Sequence, residues 1–253
     1  MRLGAVVITY NEEAHITACL DSLRFADEHL VFDSFSTDRT VPLAEAWGAR
    51  VLQRPFDHYA GQRNAALEAM AGRVDWVLFV DADERIPAAL AEEVRDALRT
   101  DAAGYQIPRD NILFGRLTRG AGWWPDYQTR LLRLGRAHYD PQRQVHEVVV
   151  LEGPLGTLQN AITHYNYRDV AQFIQKQRRY TAYDAQILYN QGYRPRPHQY
   201  LTLPLRHFWW RFVTLRGWRD GLHGLRLSAL MAWYELRKLQ QVAALARQEA
   251  RPG

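Results

Sequence analysis

The sequence predicts an α/β protein in which a mostly parallel sheet is flanked by helices and followed by a C-terminal helical extension. Three observations predict it. From Leu3 to Leu98, short apolar runs alternate with helix-period segments, the pattern of successive β-α units. Polar residues gather where those runs end, at Thr9 and Asn11, at Asp33 and Ser34, and at Asp81 and Asp83, where open parallel sheets place their ligands. From Asp169 onward the periodicity is helical. The expected division is an α/β domain over residues 1–165 and a helical region over 166–253.

Taken in order, Leu3 to Thr9 is a β-branched apolar run of strand length, and Asn11 is placed to cap a helix whose Ile16, Cys19, Leu20 and Leu23 share one face. Glu28 to Asp33 predicts a strand, Thr40 to Trp47 a short helix closed by Gly48, and Ala49 to Gln53 a further strand. Gln62 to Met70 predicts a helix, and the unbroken apolar run Trp76 to Val80 a strand buried on both faces. Pro87 suits a first helical turn, and Leu90, Val94 and Leu98 continue that helix. Residues 104–165 mix strand-like runs with Gly115, Gly120, Gly122, Pro125 and Pro141, as loops and edge strands around a site do. Val170, Phe173, Ile174, Tyr180, Ile187 and Leu188 mark a helix, Arg194 to Pro197 a break, and Leu222 to Ala246 a final amphipathic stretch.

The chain has 253 residues, 47% hydrophobic and 24% charged, which excludes disorder, collagen and coiled coil as descriptions of the whole. One cysteine, Cys19, supports neither an internal disulfide nor a Cys-rich zinc site, and fits a reducing compartment. The N-terminal apolar run is too short for a signal peptide and is broken by Asn11, Glu12 and Glu13. No later stretch reaches the roughly 18 apolar residues of a membrane span. A cytoplasmic protein that does not cross a bilayer is expected. The net charge of +4 is unevenly spread: residues 1–160 carry 17 Lys and Arg against 23 Asp and Glu, whereas 161–253 carry 15 against 5, a balance of +10. That last third also holds Trp209, Trp210, Trp218 and Trp233. A basic, aromatic-rich region suits a phosphate-bearing partner, a membrane surface or a nucleic acid.

The sharpest local signal is V-L-F-V-D-A-D-E, in which a buried strand delivers Asp81 and Asp83 to its carboxyl end. Two carboxylates one residue apart can face a single divalent cation while that cation holds a diphosphate. The plainer alternative is two solvated acids in a turn before the next helix. Three further motifs accompany it: V-V-I-T-Y-N-E-E at the first strand end, F-D-S-F-S-T-D-R-T at the second, and A-G-Q-R-N-A-A-L on the helix before the third.

Together these motifs, in order over about residues 1–150, resemble family 2 glycosyltransferases. The resemblance implies a GT-A fold, Rossmann-like in its sheet, and inverting transfer of a sugar from a nucleotide-diphosphate donor with Mn²⁺ or Mg²⁺. The loop A-G-W-W-P-D-Y-Q-T-R-L-L-R and the element Q-V-H-E resemble a bacterial subgroup that includes lipopolysaccharide core glucosyltransferases. Carried onto this chain, the resemblance places Thr9, Asn11 and Glu12 around the nucleotide, Asp33 near its base or ribose, and Arg63 near the diphosphate. Asp81 would approach ribose and metal, and Asp83 would be the principal metal carboxylate. Where many members have D-D-G-S this chain has Asp33-Ser34-Phe35-Ser36, so an acid able to recognise uracil is replaced by Ser34 and a glycine by Phe35. That leaves the nucleotide base open. For Asn11 the alternative is a helix cap, and for Arg63 a solvated helix face.

Inverting transfer needs a base for the acceptor hydroxyl, and the candidates are Asp126 and Glu147. Asp126 follows Trp123, Trp124 and Pro125, whose rings could stack on an acceptor sugar and desolvate a carboxylate; it could equally cap a turn. It is favoured, with Glu147 close behind. His146, beside Glu147, is a candidate metal ligand, since related enzymes of the fold use a histidine from this region; the alternative is a surface pair. Residues 206–219 alternate basic and aromatic side chains, R-H-F-W-W-R-F-V-T-L-R-G-W-R, as an interfacial helix on an anionic membrane does. Packing on the catalytic domain or in a homo-oligomer is the alternative. No nucleic-acid recognition module is present. The expectation is a hexosyltransferase, peripheral on the inner face of the cytoplasmic membrane, acting on a saccharide or lipid-linked acceptor of the cell envelope. Two other readings compete. A sugar-nucleotide nucleotidyltransferase would carry a Gly-rich basic loop after the first strand, where T-Y-N-E-E has neither; a non-catalytic glycan-binding scaffold would have no need of intact Asp81 and Asp83.

Overall fold

The computed structural model describes residues 1–140 and 148–249. The chain forms two compact units: residues 1–110 with 126–164, and residues 111–125 with 165–253.

In the first unit β1 (Leu3–Thr9), α1 (Ile16–Ser22), β2 (Glu28–Asp33), α2 (Thr40–Trp47), β3 (Arg50–Gln53), α3 (Tyr59–Met70) and β4 (Trp76–Asp81) follow one another as the β-α alternation requires. A two-residue β5 (Glu84–Arg85) and α4 (Ala88–Ala97) complete this half. β1 pairs in parallel with both β2 and β4, and the registers Thr9↔Asp33 and Ile8↔Asp81 bring three carboxyl ends to one edge of the sheet.

Period-2 alternation sorts the strand residues between two cores. Leu3, Ala5 and Val7 of β1 and Trp76, Leu78 and Val80 of β4 face the side covered by α1, α2 and α4. Val6, Val77 and Phe79 face α3 through Ala60, Ala66, Leu67 and Met70. Each fully buried aliphatic side chain contributes about 1.5–3 kcal/mol, so register is strongly specified here: a one-residue slip would exchange the two faces. Gly48, at φ 99°, ends α2 in the left-handed conformation that a side chain disfavours.

After α4 the sheet becomes mostly antiparallel. β6 (Gly104–Leu113), β7 (Arg116–Thr118), β8 (Tyr127–Arg133), β9 (Ala137–Tyr139), β10 (Val149–Leu151), β11 (Leu155–Thr157) and β12 (Ile162–Tyr167) follow. The strand order is β3-β2-β1-β4-β8-β6-β12-β5, with β8 antiparallel to both β4 and β6. Among the described pairings of these later strands β11 alone is parallel, to β6.

The second unit is helical: α5 (Val170–Asn190), α6 (Gln199–Trp209), one π-helical and one 3₁₀ turn, then α7 (Gly221–Glu249). Asp169 caps α5 by accepting from the Gln172 amide at 2.8 Å. Leu113, Tyr167, Phe173, Leu227 and Tyr234 form its core. The segment 111–125 joins these helices through hydrogen bonds: the Gly120 amide donates to Asp220 at 2.7 Å, Arg211 Nη1 to the Ala121 carbonyl at 2.6 Å, and Thr118 Oγ1 meets His223 Nε2 at 2.9 Å. α6 buries none of its side chains fully. No helix of the described residues is long and apolar enough to cross a membrane.

One local expectation is corrected. Asn11 does not cap α1, whose first turn has no side-chain cap. Instead Asn11 stands at φ 57° and its Oδ1 accepts from the Thr37 amide at 2.8 Å, tying the loop after β1 to the loop after β2. Phe35 likewise stands at φ 61° where glycine would be unstrained.

Candidate active site at the carboxyl ends of β1, β2 and β4

At the end of β2, Asp33 is fully buried and both its oxygens are engaged. Oδ1 accepts from the hydroxyls of Thr9 and Ser36, and Oδ2 from the Ser36 amide at 2.9 Å and Gln53 Nε2 at 3.0 Å. This ring of donors holds the Ser34–Ser36 turn, and with it Phe35, in the left-handed conformation. Thr9 and Asp33 therefore shape the strand ends from inside, and the groups presented outward are Tyr10 and Phe35, 59% and 50% exposed. The Glu12 amide is held by Thr40 Oγ1 at 2.7 Å, which fixes the start of the same loop.

At the end of β4 the two carboxylates of D-x-D part company. Asp81 is gripped by Arg130, whose Nη1 donates to Oδ1 at 3.1 Å and whose Nη2 donates to Oδ2. Arg63 Nη2 lies 3.6 Å from the same Oδ1. Burial by itself would raise the Asp81 carboxyl, but the Arg130 charge, then that of Arg63, outweighs it and holds the group well below the usual carboxylate range. Arg63 is not on a solvated face: it is buried beside Phe79 and Tyr139, and its Nη1 donates to Tyr139 Oη at 3.3 Å.

Asp83 is instead brought to a histidine. His164 Nε2 lies 3.5 Å from Asp83 Oδ2, because β12 pairs antiparallel with β5 in the register His164↔Glu84. A carboxylate oxygen and an imidazole nitrogen at that separation are a donor set that suits Mn²⁺ or Mg²⁺ when phosphate oxygens supply further ligands. Among the described residues no three His, Cys, Asp or Glu side chains gather to hold a metal by themselves. His146 and Glu147 lie outside the described residues.

Asp126 stands at the start of β8 with both oxygens occupied. Arg109 donates Nε at 2.9 Å and Nη2 at 2.6 Å to Oδ2, and Gln128 Nε2 donates to Oδ1 at 2.9 Å. Arg109 also reaches Glu84 Oε1 at 3.2 Å, and Glu84 is fully buried. Trp123 is half-buried and packs against the second unit's core, edge-on to Tyr167 at 6.0 Å. Trp124 is half-buried, with the Arg119 guanidinium 5.3 Å from its ring centre.

Sequence reasoning missed His164, Glu84, Arg109 and Arg130. A signal was present for the arginines: each interrupts a strand, and a charge at an inward strand position needs a buried partner. His164 carried none, since its place beside Asp83 rests on a strand pairing with Glu84, 80 residues away.

The family model described as glycosyl transferase family 2 matches residues 5–146. A lipopolysaccharide core biosynthesis glycosyltransferase, LpsC of Rhizobium meliloti, is 31% identical over 99% of this chain and 95% of its own. An uncharacterized glycosyltransferase of Rickettsia bellii is 30% identical over 98% of this chain and 88% of its own. Among solved structures, S. aureus TarS 1–349 in complex with UDP gives a TM-score of 0.48 at 17% identity, covering 98% of this chain and 92% of that one. Matched by the family model over more than half its length, and by a relative at 31% identity along nearly all of it, the chain belongs to glycosyl transferase family 2, its sheet forming a GT-A fold with a C-terminal helical extension.

Proposed function

We propose that this glycosyltransferase moves a hexose-type sugar, with inversion, from a nucleotide-diphosphate donor to a saccharide or lipid-linked acceptor in cell-envelope glycan synthesis of the lipopolysaccharide-core kind. The observation that carries it is the pairing of Asp83 with His164 beside an arginine-bound Asp81, at the sheet edge where such folds bind ligands. The full-length likeness to LpsC supports the acceptor class.

In this reading Asp83 and His164, with His146 from the segment beyond Asp140, would hold the divalent cation, which supplies charge neutralisation for the departing diphosphate. Arg63 and Arg130 would offer guanidiniums to the same phosphates, and Asp81 holds both in position. Asn11 and Glu12 set the loop beside the nucleotide; the exposed rings of Tyr10 and Phe35 offer stacking faces to its base. Trp124 remains the aromatic proposed for the acceptor. For the acceptor's proton, the engagement of both Asp126 oxygens favours Glu147 as the base, with Asp126 fixing the acceptor side.

A thermal-shift screen of UDP-, GDP-, ADP- and CDP-sugars with and without Mn²⁺ tests the donor reading. A donor at a hundred times its Kd should stabilise the protein by about 2.7 kcal/mol, and only with the metal present. No shift with any of them would overturn it.

The second unit is proposed to lie on an anionic membrane surface. Leu201, Leu205, Trp209, Trp218, Leu222 and Trp233 are exposed on it, and Arg206, Arg216 and Arg219 are exposed among them. Arg211 is not part of that surface, because it donates to His207 Nε2 at 2.8 Å and to the Ala121 carbonyl. At about 1 kcal/mol per cation, replacing Arg206, Arg216 and Arg219 by Gln should weaken binding to anionic vesicles roughly 10²-fold. Co-sedimentation should also fall with salt. Unchanged vesicle binding, together with a loss of dimer mass in solution, would assign the surface to a second subunit instead.

A further inference from the structure

Between the two ends of the site runs a chain of alternating charge that neither end explains. Asp81 is bound by Arg130; Arg130 Nη2 also donates to Glu84 Oε1 at 3.1 Å; Arg109 Nη1 donates to that same oxygen at 3.2 Å; Arg109 then binds Asp126. The side chains at the middle are sealed and those at the ends are open: Glu84 is 0% and Arg130 3% exposed, whereas Asp81 is 36% and Asp126 26% exposed. Glu84 Oε2 is taken by the Asp81 amide at 2.9 Å, so this carboxylate is anchored to the very strand end it serves.

A fully buried carboxylate is costly unless paired, and here a single oxygen is shared by two guanidiniums. That sharing has a mechanical consequence. A diphosphate arriving beside Asp81 competes for Arg130, and any movement of Arg130 alters what Glu84 offers Arg109, and so how Arg109 holds Asp126. With Arg63 included, three carboxylates and three guanidiniums balance, and low exposure keeps the interaction from being screened.

We propose that Glu84 is a positioning residue that couples donor occupancy at Asp81 to the geometry of Asp126 through Arg130 and Arg109. This rests on the donor reading above and deepens it: the geometry of Asp126 is set by whether a nucleotide diphosphate is present at Asp81. Neither Glu84 nor Arg109 needs to touch the reacting atoms.

The test is a double-mutant cycle read by nucleotide affinity rather than by turnover, using titration calorimetry with UDP, GDP, ADP and CDP, each with Mn²⁺, on the full chain. Asp126→Asn should change the affinity of the nucleotide that binds best by about threefold or more, although Asp126 lies at the acceptor end. In a Glu84→Gln background the same substitution should change it by less than about 1.5-fold, because the link is cut. Arg109→Gln cuts the link from its more exposed side, and serves where Glu84→Gln fails to fold. An Asp126→Asn effect of equal size with and without the link would overturn the coupling, since a merely structural role for Glu84 gives additive losses. If the unmodified protein binds none of the four nucleotides, the donor reading itself falls, and the coupling with it.

Discussion

Asp83→Asn is expected to abolish sugar transfer, by about 10³-fold or more, with the fold intact. Asp83 lies outside the buried ion chain and is partly exposed, so its charge is not needed to satisfy a buried cation; its partner is the imidazole of His164. Removing one unit of negative charge there leaves a neutral amide and the imidazoles of His164 and His146 to hold a divalent ion beside a diphosphate, a set without the anionic oxygen that a hard cation favours. The loss should appear twice, as absent turnover and as loss of Mn²⁺-dependent nucleotide binding, while the melting temperature without ligand stays close to that of the unmodified protein. Wild-type turnover by the variant in the presence of a chelator would remove Asp83 from the metal and take the proposed metal role with it. His164→Ala should reproduce the binding defect; the same change at His146 separates the histidine seen beside Asp83 from the one proposed on sequence alone.

The second large effect concerns the acceptor's proton. Glu147→Gln should lower turnover by about 10²–10⁴ with nucleotide affinity unchanged, because proton abstraction matters only in the transition state. Asp126→Asn should cost less than about tenfold in turnover. Its carboxylate accepts two hydrogen bonds from Arg109 and one from Gln128, a set of contacts that suits holding Arg109 in place. Single-turnover kinetics with saturating donor separates the two variants. Should Asp126→Asn lose turnover by the larger factor and Glu147→Gln remain active, the assignments exchange.

The element order of the β-α half was legible, and several of its bounds with it. Strand bounds Leu3–Thr9 and Glu28–Asp33 and the helix Thr40–Trp47 with its Gly48 stop are those of the structure, because each rests on signals only a few residues apart: β-branched runs, turn residues, a left-handed glycine. The strand expected over Trp76 to Val80 was legible because a strand buried on both faces must be apolar throughout, and the structure extends it by one residue to Asp81. Phe35 in a glycine position was visible as an anomaly, and its positive φ follows from the Asp33 hydrogen bonds around it. The antiparallel half was not legible in the same way. Four of its strands, β7, β9, β10 and β11, span three residues each, and the longer β8 and β12 pair with residues far along the chain, so little local period marks them.

What the sequence determined by itself is the class of the protein: the alternation of periods dictates a parallel sheet, a parallel sheet opens its strand ends to ligands, and the motifs at those ends name the family. What only the tertiary structure decided is which polar side chain meets which. Asp33 turned inward and Asp81 met Arg130, while Asp83 met His164 and Glu84 drew Arg109 and Arg130 onto one oxygen. Hydrophobic burial acts on every apolar residue and so leaves a periodic trace along the chain, whereas a hydrogen bond or ion pair depends on distance and direction between two particular groups, which the register of distant strands alone creates.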